Sequence, residues 1–182
     1  NGGMFMSSVD VYFQTKDATM PVSVEIRTMH NGYPANIVLP FSTVTKNPAD
    51  VAVSTDGSTA TTFTFESPVY VEENVEYALV VYSNSNEYNM FISRMGEKDL
   101  ATGQTIAEQP YAGSLFKSQN GSTWSPDQTK DLMFKMHNAV FDTAGGTAVF
   151  ENTDTPNMLL SSNPLYSVSG DATISVLAPK HG

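Results

Sequence analysis

Two short stretches decide the fold: Val9-Asp10-Val11-Tyr12-Phe13 and Val22-Ser23-Val24-Glu25-Ile26. In each stretch every second side chain is apolar, and the side chains between them carry a polar group. Alternation with a period of two predicts a strand that buries one face and exposes the other. Similar stretches rich in Val, Ile, Thr, Tyr and Phe recur along the chain, and about ten to twelve strands are predicted in total. We therefore expect an all-β protein.

The turn residues agree with this expectation. Asn31-Gly32, Asp56-Gly57 and Asn120-Gly121 supply residues that tolerate positive φ, as tight hairpin connections require. Helix signals are weak: Glu97–Gln109 favours a long loop, and Ser125-Pro126-Asp127-Gln128 predicts at most one helical turn, with Ser125 as its N-cap. The uneven strand spacing favours a jelly-roll or Greek-key-like antiparallel β-sandwich over an up-and-down barrel.

The domain organisation is predicted from the chain length and from a change in composition along the sequence. A chain of 182 residues fits a single sandwich domain. Near Asp142 the sequence turns polar and loses aromatic residues, so we predict a β-sandwich over residues 1–141 and a C-terminal β extension over residues 142–182. The extension is expected to lead towards a following module, and the alternative that it belongs to the same sandwich stays open. Because the chain begins at Asn1, we expect it to be a piece of a longer protein.

Charge and composition limit the partners. The net charge of −10 repels phosphate backbones and anionic lipid headgroups, so neither nucleic acid nor membrane is an expected partner. The absence of cysteine removes disulfides and thiolate metal sites, and it mildly favours folding in a reducing cytoplasm. No apolar run approaches the roughly 18 residues of a membrane-spanning helix.

Catalytic and metal-binding patterns are missing from the sequence. The three histidines, His30, His137 and His181, lie far apart and have no ligand spacing for a metal. No nucleophile elbow or phosphate-binding glycine loop occurs, so we expect no enzyme activity, no catalytic residue, no metal site and no cofactor.

Acidic side chains leave two alternatives. The acidic stretch Glu72-Glu73-Asn74-Val75-Glu76 lies between two predicted strands and is interpreted as a solvated turn, although paired carboxylates are also what glycoside hydrolysis needs. Calcium could be held by Asp10 with Asp17 or by Asp127 with Asp131, but neither pair fits a dedicated calcium loop.

Aromatic side chains supply the candidate binding residues. The segment from Ser118 to Trp124 is similar to the Asp-box turn of sialidase propellers, but it lacks one residue before Trp124 and stands alone. A hairpin whose Trp124 packs on the sandwich is the preferred interpretation. Exposed aromatics can stack on sugar rings, and Trp124, Tyr111 and Tyr33 form the predicted platform for a host-surface glycan.

The chain also resembles a domain in virion structural proteins of contractile-tailed bacteriophages. The stretches that carry the resemblance extend over nearly the whole chain: Gly3–Phe13, Met20–Arg27, Asn31–Pro34, Pro68–Val71, Glu76–Val80, Gln109–Tyr111, Gly113–Phe116 and Ser118–Gly121 with Trp124. The ending, Ile174-Ser175-Val176 followed by Lys180-His181-Gly182, is similar to the opening of a small β module that recurs in phage tail proteins.

The resemblance implies a non-enzymatic structural or adaptor domain of a tail, tail-fibre or baseplate protein, assembled in the host cytoplasm and located in the virion. It implies other virion proteins or further copies of the chain as partners, with contact to the host surface as an additional role. Two other classes stay open. One is a carbohydrate-binding module, which predicts solvent-facing aromatics. The other is a fragment of a polysaccharide-degrading enzyme, which predicts a cleft with paired carboxylates.

Overall fold

The computed structural model describes residues 2–100, 102–107 and 113–141, together with the backbone of four strands between residues 146 and 176. The chain is all-β, with several antiparallel sheets, and the described residues contain one short 3-10 turn, Pro48–Asp50. In the described part, no helix has the length and apolar character needed to cross a membrane.

The chain divides into two compact units, Asn1–Ala139 and Val140–Gly182. The described strands of the first unit are β1 (Gly3–Val11), β2 (Phe13–Thr15), β3 (Val22–His30), β4 (Tyr33–Val38), β5 (Val44–Lys46), β6 (Thr61–Glu72), β7 (Tyr77–Ser83), β8 (Asn89–Met90), β9 (Ile92–Arg94), β10 (Leu115–Lys117), β11 (Ser125–Asp127), β12 (Lys130–Leu132) and β13 (Phe134–Asn138). Those of the second unit are β14 (Gly146–Phe150), β15 (Met158–Leu159), β16 (Ser167–Val168) and β17 (Ala172–Val176). Several strands are only two or three residues long, and the predicted count of ten to twelve is not confirmed.

In the first unit, one sheet has the order β13-β1-β6, with both neighbours antiparallel to β1. The register shifts between Met6 and Ser8, where Ser7 is an extra residue opposite β13. Such a bulge changes the direction of a strand and increases its twist. The Ser7 hydroxyl donates to the His137 carbonyl oxygen at 3.1 Å, so the bulge is held by its own side chain.

A second sheet is built around β3. Strand β7 pairs with β3 from Val22 to Thr28, whereas β5 pairs only with the first residues of β3 and β4 only with the last. Since β7 occupies one edge over this whole length, β4 and β5 share the other edge. The predicted Asn31-Gly32 turn joins β3 to β4 with φ values of 51° and 79°, which is the type I′ geometry of a two-residue hairpin.

The two predicted alternations lie in one core shared by these sheets. Val9, Val11 and Phe13 from the first stretch are fully buried, and so are Val22, Val24 and Ile26 from the second. Strand β6 adds Phe63, Phe65 and Val69 to the same cluster. Burying one such side chain contributes about 1.5–3 kcal/mol, so this cluster is the main source of stability. Two sheets around one apolar core give the first unit a β-sandwich-like character.

In the second unit, β14 pairs antiparallel with β17, and β15 pairs antiparallel with β16.

One local prediction needs correction. The helical turn predicted at Ser125–Gln128 is wrong, because Ser125–Asp127 is strand β11 and pairs with β10. Pro126 is tolerated there because β11 has a partner strand on one edge only. A proline has no N–H to donate, and this costs no ladder hydrogen bond when its nitrogen faces the unpaired edge. In the loop predicted over Glu97–Gln109, the described residues form a small hairpin, with Lys98 bridged to Thr105.

Candidate functional site

The best-defined polar cluster lies on the outer face of the β3 sheet, around Arg27. The Nη1 atom of Arg27 donates to the Gly121 carbonyl oxygen at 2.7 Å, and Nε donates to the Glu25 carboxylate. Both side chains are well buried, with exposed fractions of 14% for Arg27 and 7% for Glu25. Glu25 and Arg27 are polar residues of the alternating β3 pattern, so they face away from the apolar core. The loop between β10 and β11 binds one end of this ion pair and ties the hairpin to β3.

Trp124 packs on the same arginine. Its ring centroid lies 5.8 Å from the Arg27 guanidinium carbon, within range of a cation–π contact. The indole is half-buried, and among the described residues Nε1 is buried without a hydrogen-bond acceptor. The prediction of a hairpin whose Trp124 packs on the sheet is therefore confirmed.

The hairpin turn before Trp124 is built by Asn120. Its Oδ1 atom accepts the backbone N–H groups of Ser122 at 3.0 Å and Thr123 at 2.8 Å. The Ser118 hydroxyl accepts the N–H of Gly121, whose φ of 68° suits glycine. These are turn-forming bonds, and they account for the similarity of the segment to an Asp box.

Tyr33 lies beside the same hairpin. Its ring meets Phe116 of β10 edge-on, with centroids 5.7 Å apart and an interplanar angle of 60°. Tyr33 remains 47% exposed, so part of the ring faces solvent. Of the three predicted platform residues, Tyr33 and Trp124 thus both adjoin the β10–β11 hairpin. Tyr111 lies outside the described residues.

Sequence reasoning missed Arg27 and Phe116 as parts of this cluster. Phe116 belongs to a strand of three residues, too short for its alternation to assign a face. Arg27 gave a weak signal, because a charged residue at the end of an alternating strand is the usual pattern for a solvated position. Its buried partner Glu25 lies at another outward position of β3, where sequence predicts exposure.

A second polar pair lies on the outer face of the β1 sheet. His137 Nε2 lies 2.7 Å from Asp10 Oδ2, and the Thr62 hydroxyl donates to Asp10 Oδ1 at 2.6 Å. Burial raises the pKa of Asp10, but the hydrogen bonds from Thr62 and His137, with the charges of His137 and Lys135, outweigh it and hold the pKa below its ordinary value. The pair joins three strands through one carboxylate.

Two of the other aspartates considered for calcium, Asp17 and Asp127, also accept bonds from protein donors. Asp17 accepts the backbone N–H of Met20 at 2.8 Å and the Ser85 hydroxyl, and these bonds hold its pKa far below the ordinary range. Asp127 is paired with Lys130 at 2.9 Å, which lowers the pKa of Asp127 in the same direction. Burial raises the pKa of Asp131. Among the described residues, no three His, Cys, Asp or Glu side chains are grouped to hold a metal ion.

The acidic stretch after β6 forms an exposed turn, as predicted. Residues 72–76 are all exposed, and Asn74 has a φ of 59°. A shallow depression beside the turn is lined by Gly2, Tyr70, Glu72 and Glu73. The Glu73 N–H donates to the Gly2 carbonyl oxygen at 3.1 Å, so the turn is also fixed to the start of β1.

Comparisons with known proteins add no relative: no family model, no curated protein and no solved structure matches the chain.

Proposed function

We propose that this chain is a non-enzymatic structural domain of a bacteriophage tail or baseplate protein, where it acts as a rigid adaptor between neighbouring modules. Its location would be the virion, assembled in the host cytoplasm, and its partners would be other virion proteins or further copies of itself. The negative charge of the chain disfavours nucleic acid and anionic membranes as partners.

The observation that carries the proposal is the use of carboxylates as structural elements. Asp10 joins three strands, Asp17 fixes the loop before β3 to Ser85, and Asp127 holds the turn before β12 through Thr129 and Lys130. Each carboxylate has a lowered pKa and stays ionised at neutral pH, as a structural acceptor does.

We also propose finer features of the fold. A jelly-roll or Greek-key-like path is supported by the pairing of β1 with strands far along the chain, since β6 and β13 flank it while β2 and β3 do not. The consecutive strands β6 and β7 lie in different sheets, which is compatible with such a path in a two-sheet sandwich. Residues 1–141 would form the adaptor, and residues 142–182 would lead towards a following module.

Labelling of virions tests the proposed location. Antibodies against residues 1–139 should decorate the tail or baseplate of particles from the phage or lysogen that encodes the chain, and mass spectrometry of purified particles should detect its peptides. An antibody against the major capsid protein is the matched control and should label heads. Purified virions that contain the capsid protein but no peptide of this chain would overturn the proposal.

A second candidate function is carbohydrate binding, and the half-exposed ring of Tyr33 beside Phe116 favours it. A planar aromatic at the surface can stack on a sugar ring, and Trp124 lies in the same hairpin, directly before β11. Glycan-array binding that is lost in Tyr33→Ala and retained in Tyr70→Ala, a similarly exposed tyrosine on β6, would support this function. Binding that survives both Tyr33→Ala and Trp124→Ala would exclude the platform.

A further inference from the structure

Strand β7, Tyr77-Ala78-Leu79-Val80-Val81-Tyr82-Ser83, has one edge without a partner strand in the described part of the chain. Its other edge is paired with β3 from Val22 to Thr28. No backbone N–H or carbonyl of β7 bonds to any described residue outside this ladder. A free edge of seven residues presents unpaired donors and acceptors, and another strand can satisfy them.

The other edge strands of these two sheets carry residues that discourage such pairing. Charged side chains and prolines are the usual devices, because they oppose close approach or remove a donor. The edge strands that carry them are β4 with Pro34, β5 with Lys46, β6 with Glu66 and Pro68, and β13 with Lys135. Strand β7 has neither a charged residue nor a proline, and it is rich in Val and Tyr, which favour strands.

We propose that β7 is the interface through which a second copy of this chain binds, by antiparallel pairing around a two-fold axis at Val80. In this register Tyr77 lies opposite Ser83 of the second copy, Ala78 opposite Tyr82, and Leu79 opposite Val81. The pairing joins the two β3 sheets into one continuous sheet. Because the interface is isologous, every contact occurs twice.

Side-chain size and charge support a second copy of the chain as the partner of β7, paired in this register. Tyr82 is 43% exposed and lies on the outer face opposite Ser23, so it has surface to bury. Its proposed neighbour across the axis is Ala78, whose small side chain leaves room for the ring. Pairing one position further places Glu76 opposite Asn84, so no like charges meet although each chain carries a net charge of −10.

The inference rests on the edge geometry and does not depend on the proposed function, since a dimer could form inside or outside a virion.

Sedimentation of the 182-residue chain over a concentration series tests the proposal. The unmodified chain should reach a dimer, and Tyr82→Lys should raise the dimer dissociation constant by about 2- to 30-fold, because the loss of one cross-strand pair is counted twice in a two-fold interface. Tyr70→Lys is the matched control, since Tyr70 on β6 is 44% exposed, and it should leave the constant unchanged. Circular dichroism checks that each variant is folded.

A double variant tests the register. In Ala78→Glu with Tyr82→Lys, the introduced carboxylate at 78 faces the introduced ammonium at 82 of the second copy, so dimerisation should recover towards that of the unmodified chain. Amide hydrogen exchange on the unmodified chain needs no variant: the β7 amides should gain protection as concentration rises, while those of β13 should not. A chain that stays monomeric throughout, or a dimer that is insensitive to Tyr82→Lys with no gain of protection in β7, would overturn the proposal.

Discussion

The imidazole Nε2 of His137 lies 2.7 Å from the Oδ2 atom of Asp10, and this contact ties β13, the last strand of the first unit, to β1, its first strand. The two residues are 127 positions apart in the sequence. The Thr62 hydroxyl from β6 reaches the other oxygen of the same carboxylate. On the polar outer face of the sheet, the Asp10 side chain of the central strand β1 therefore contacts both neighbouring strands.

Arg27→Ala should release the β10–β11 hairpin from the β3 sheet. The substitution removes the bond to the Gly121 carbonyl, the contact with Trp124 and the partner of the buried Glu25 carboxylate. We expect the free energy of unfolding to fall by about 3 kcal/mol, because an unpaired buried charge is left behind. Trp124 is the sole tryptophan, so its fluorescence should shift to longer wavelength and become easier to quench.

The control for this prediction is Arg94→Ala. Arg94 is 52% exposed and pairs with the exposed Glu97, so its loss should change stability by less than about 0.5 kcal/mol and leave the fluorescence unchanged. Equal emission spectra for the Arg27→Ala and unmodified proteins would show that Arg27 does not hold the hairpin.

Ser42→Ala should destabilise the domain through one lost hydroxyl. Ser42 is fully buried, where it accepts the N–H of Ile26 at 3.1 Å and donates to the Leu39 carbonyl oxygen at 2.8 Å. Alanine leaves the Ile26 N–H buried and unbonded, which costs about 1–3 kcal/mol. Urea denaturation measures the loss. The adjacent Thr43→Ala is exposed and should change little, and equal losses at the two positions would contradict the assigned bond.

Phe41→Gly should stabilise the protein although it removes a large side chain. Phe41 has a φ of 63° and is 60% exposed, so it occupies a left-handed conformation with little burial in return. That conformation costs a non-glycine residue about 1–2 kcal/mol, and the greater freedom of glycine in the unfolded chain cancels about half of this. We expect a gain of up to about 1 kcal/mol in thermal or urea unfolding.

Ile37→Gly is the control for Phe41→Gly and should lower the stability of the protein. Ile37 is 67% exposed in strand β4, where glycine weakens the extended backbone by about 0.5–1 kcal/mol. If Phe41→Gly also lowered stability, the Phe41 ring would have to contribute more through contacts than its backbone conformation costs.

Alternation allowed much of the sandwich to be predicted from sequence. The Val9 and Val22 stretches predicted both the strands and the buried face, because one buried layer imposes a period of two on the side chains. The Asn31-Gly32 turn was predictable since few residue pairs accept two positive φ values. The end of β4 is not visible in the pattern, because β4 stops at Val38 and Ser42 then binds the backbone of β3 in place of a strand partner.

The candidate site was less predictable because it depends on contacts between distant residues. Trp124 and Tyr33 could be chosen as aromatics, but the short β10–β11 hairpin that brings Trp124 to Arg27 and Phe116 to Tyr33 gives almost no periodic signal. Likewise Asp10 reads as an ordinary outward residue of an alternating strand. Only the pairing of β1 with β13 makes His137 its neighbour, and pairing between distant strands is not specified by local pattern.

Asp10→Asn should weaken the domain at neutral pH and much less in acid. The pKa of Asp10 in the folded protein lies below the ordinary value of 3.8, so its carboxylate stabilises the fold above that pH. As pH falls through the lowered folded pKa, the carboxylate takes up a proton and this stabilisation is lost. We expect the variant to lose about 1–3 kcal/mol at pH 7, where hydrogen bonds to a charged acceptor from Thr62 and His137 become bonds to a neutral amide.

Urea denaturation at a series of pH values measures this difference, which should be constant near neutrality and shrink as pH falls below the ordinary value and through the lowered folded pKa of Asp10. Glu66→Gln on the adjacent strand β6 is the control, because Glu66 is exposed and its replacement should shift stability by no more than about 0.5 kcal/mol at any pH. Asp17, Asp56 and Asp127 also have lowered pKa values, so the Asp10→Asn protein should still lose stability in acid, with a shallower slope. A difference between the two proteins that stays the same from pH 7 to pH 2 would mean that the charge of Asp10 is not what joins β1 to β6 and β13.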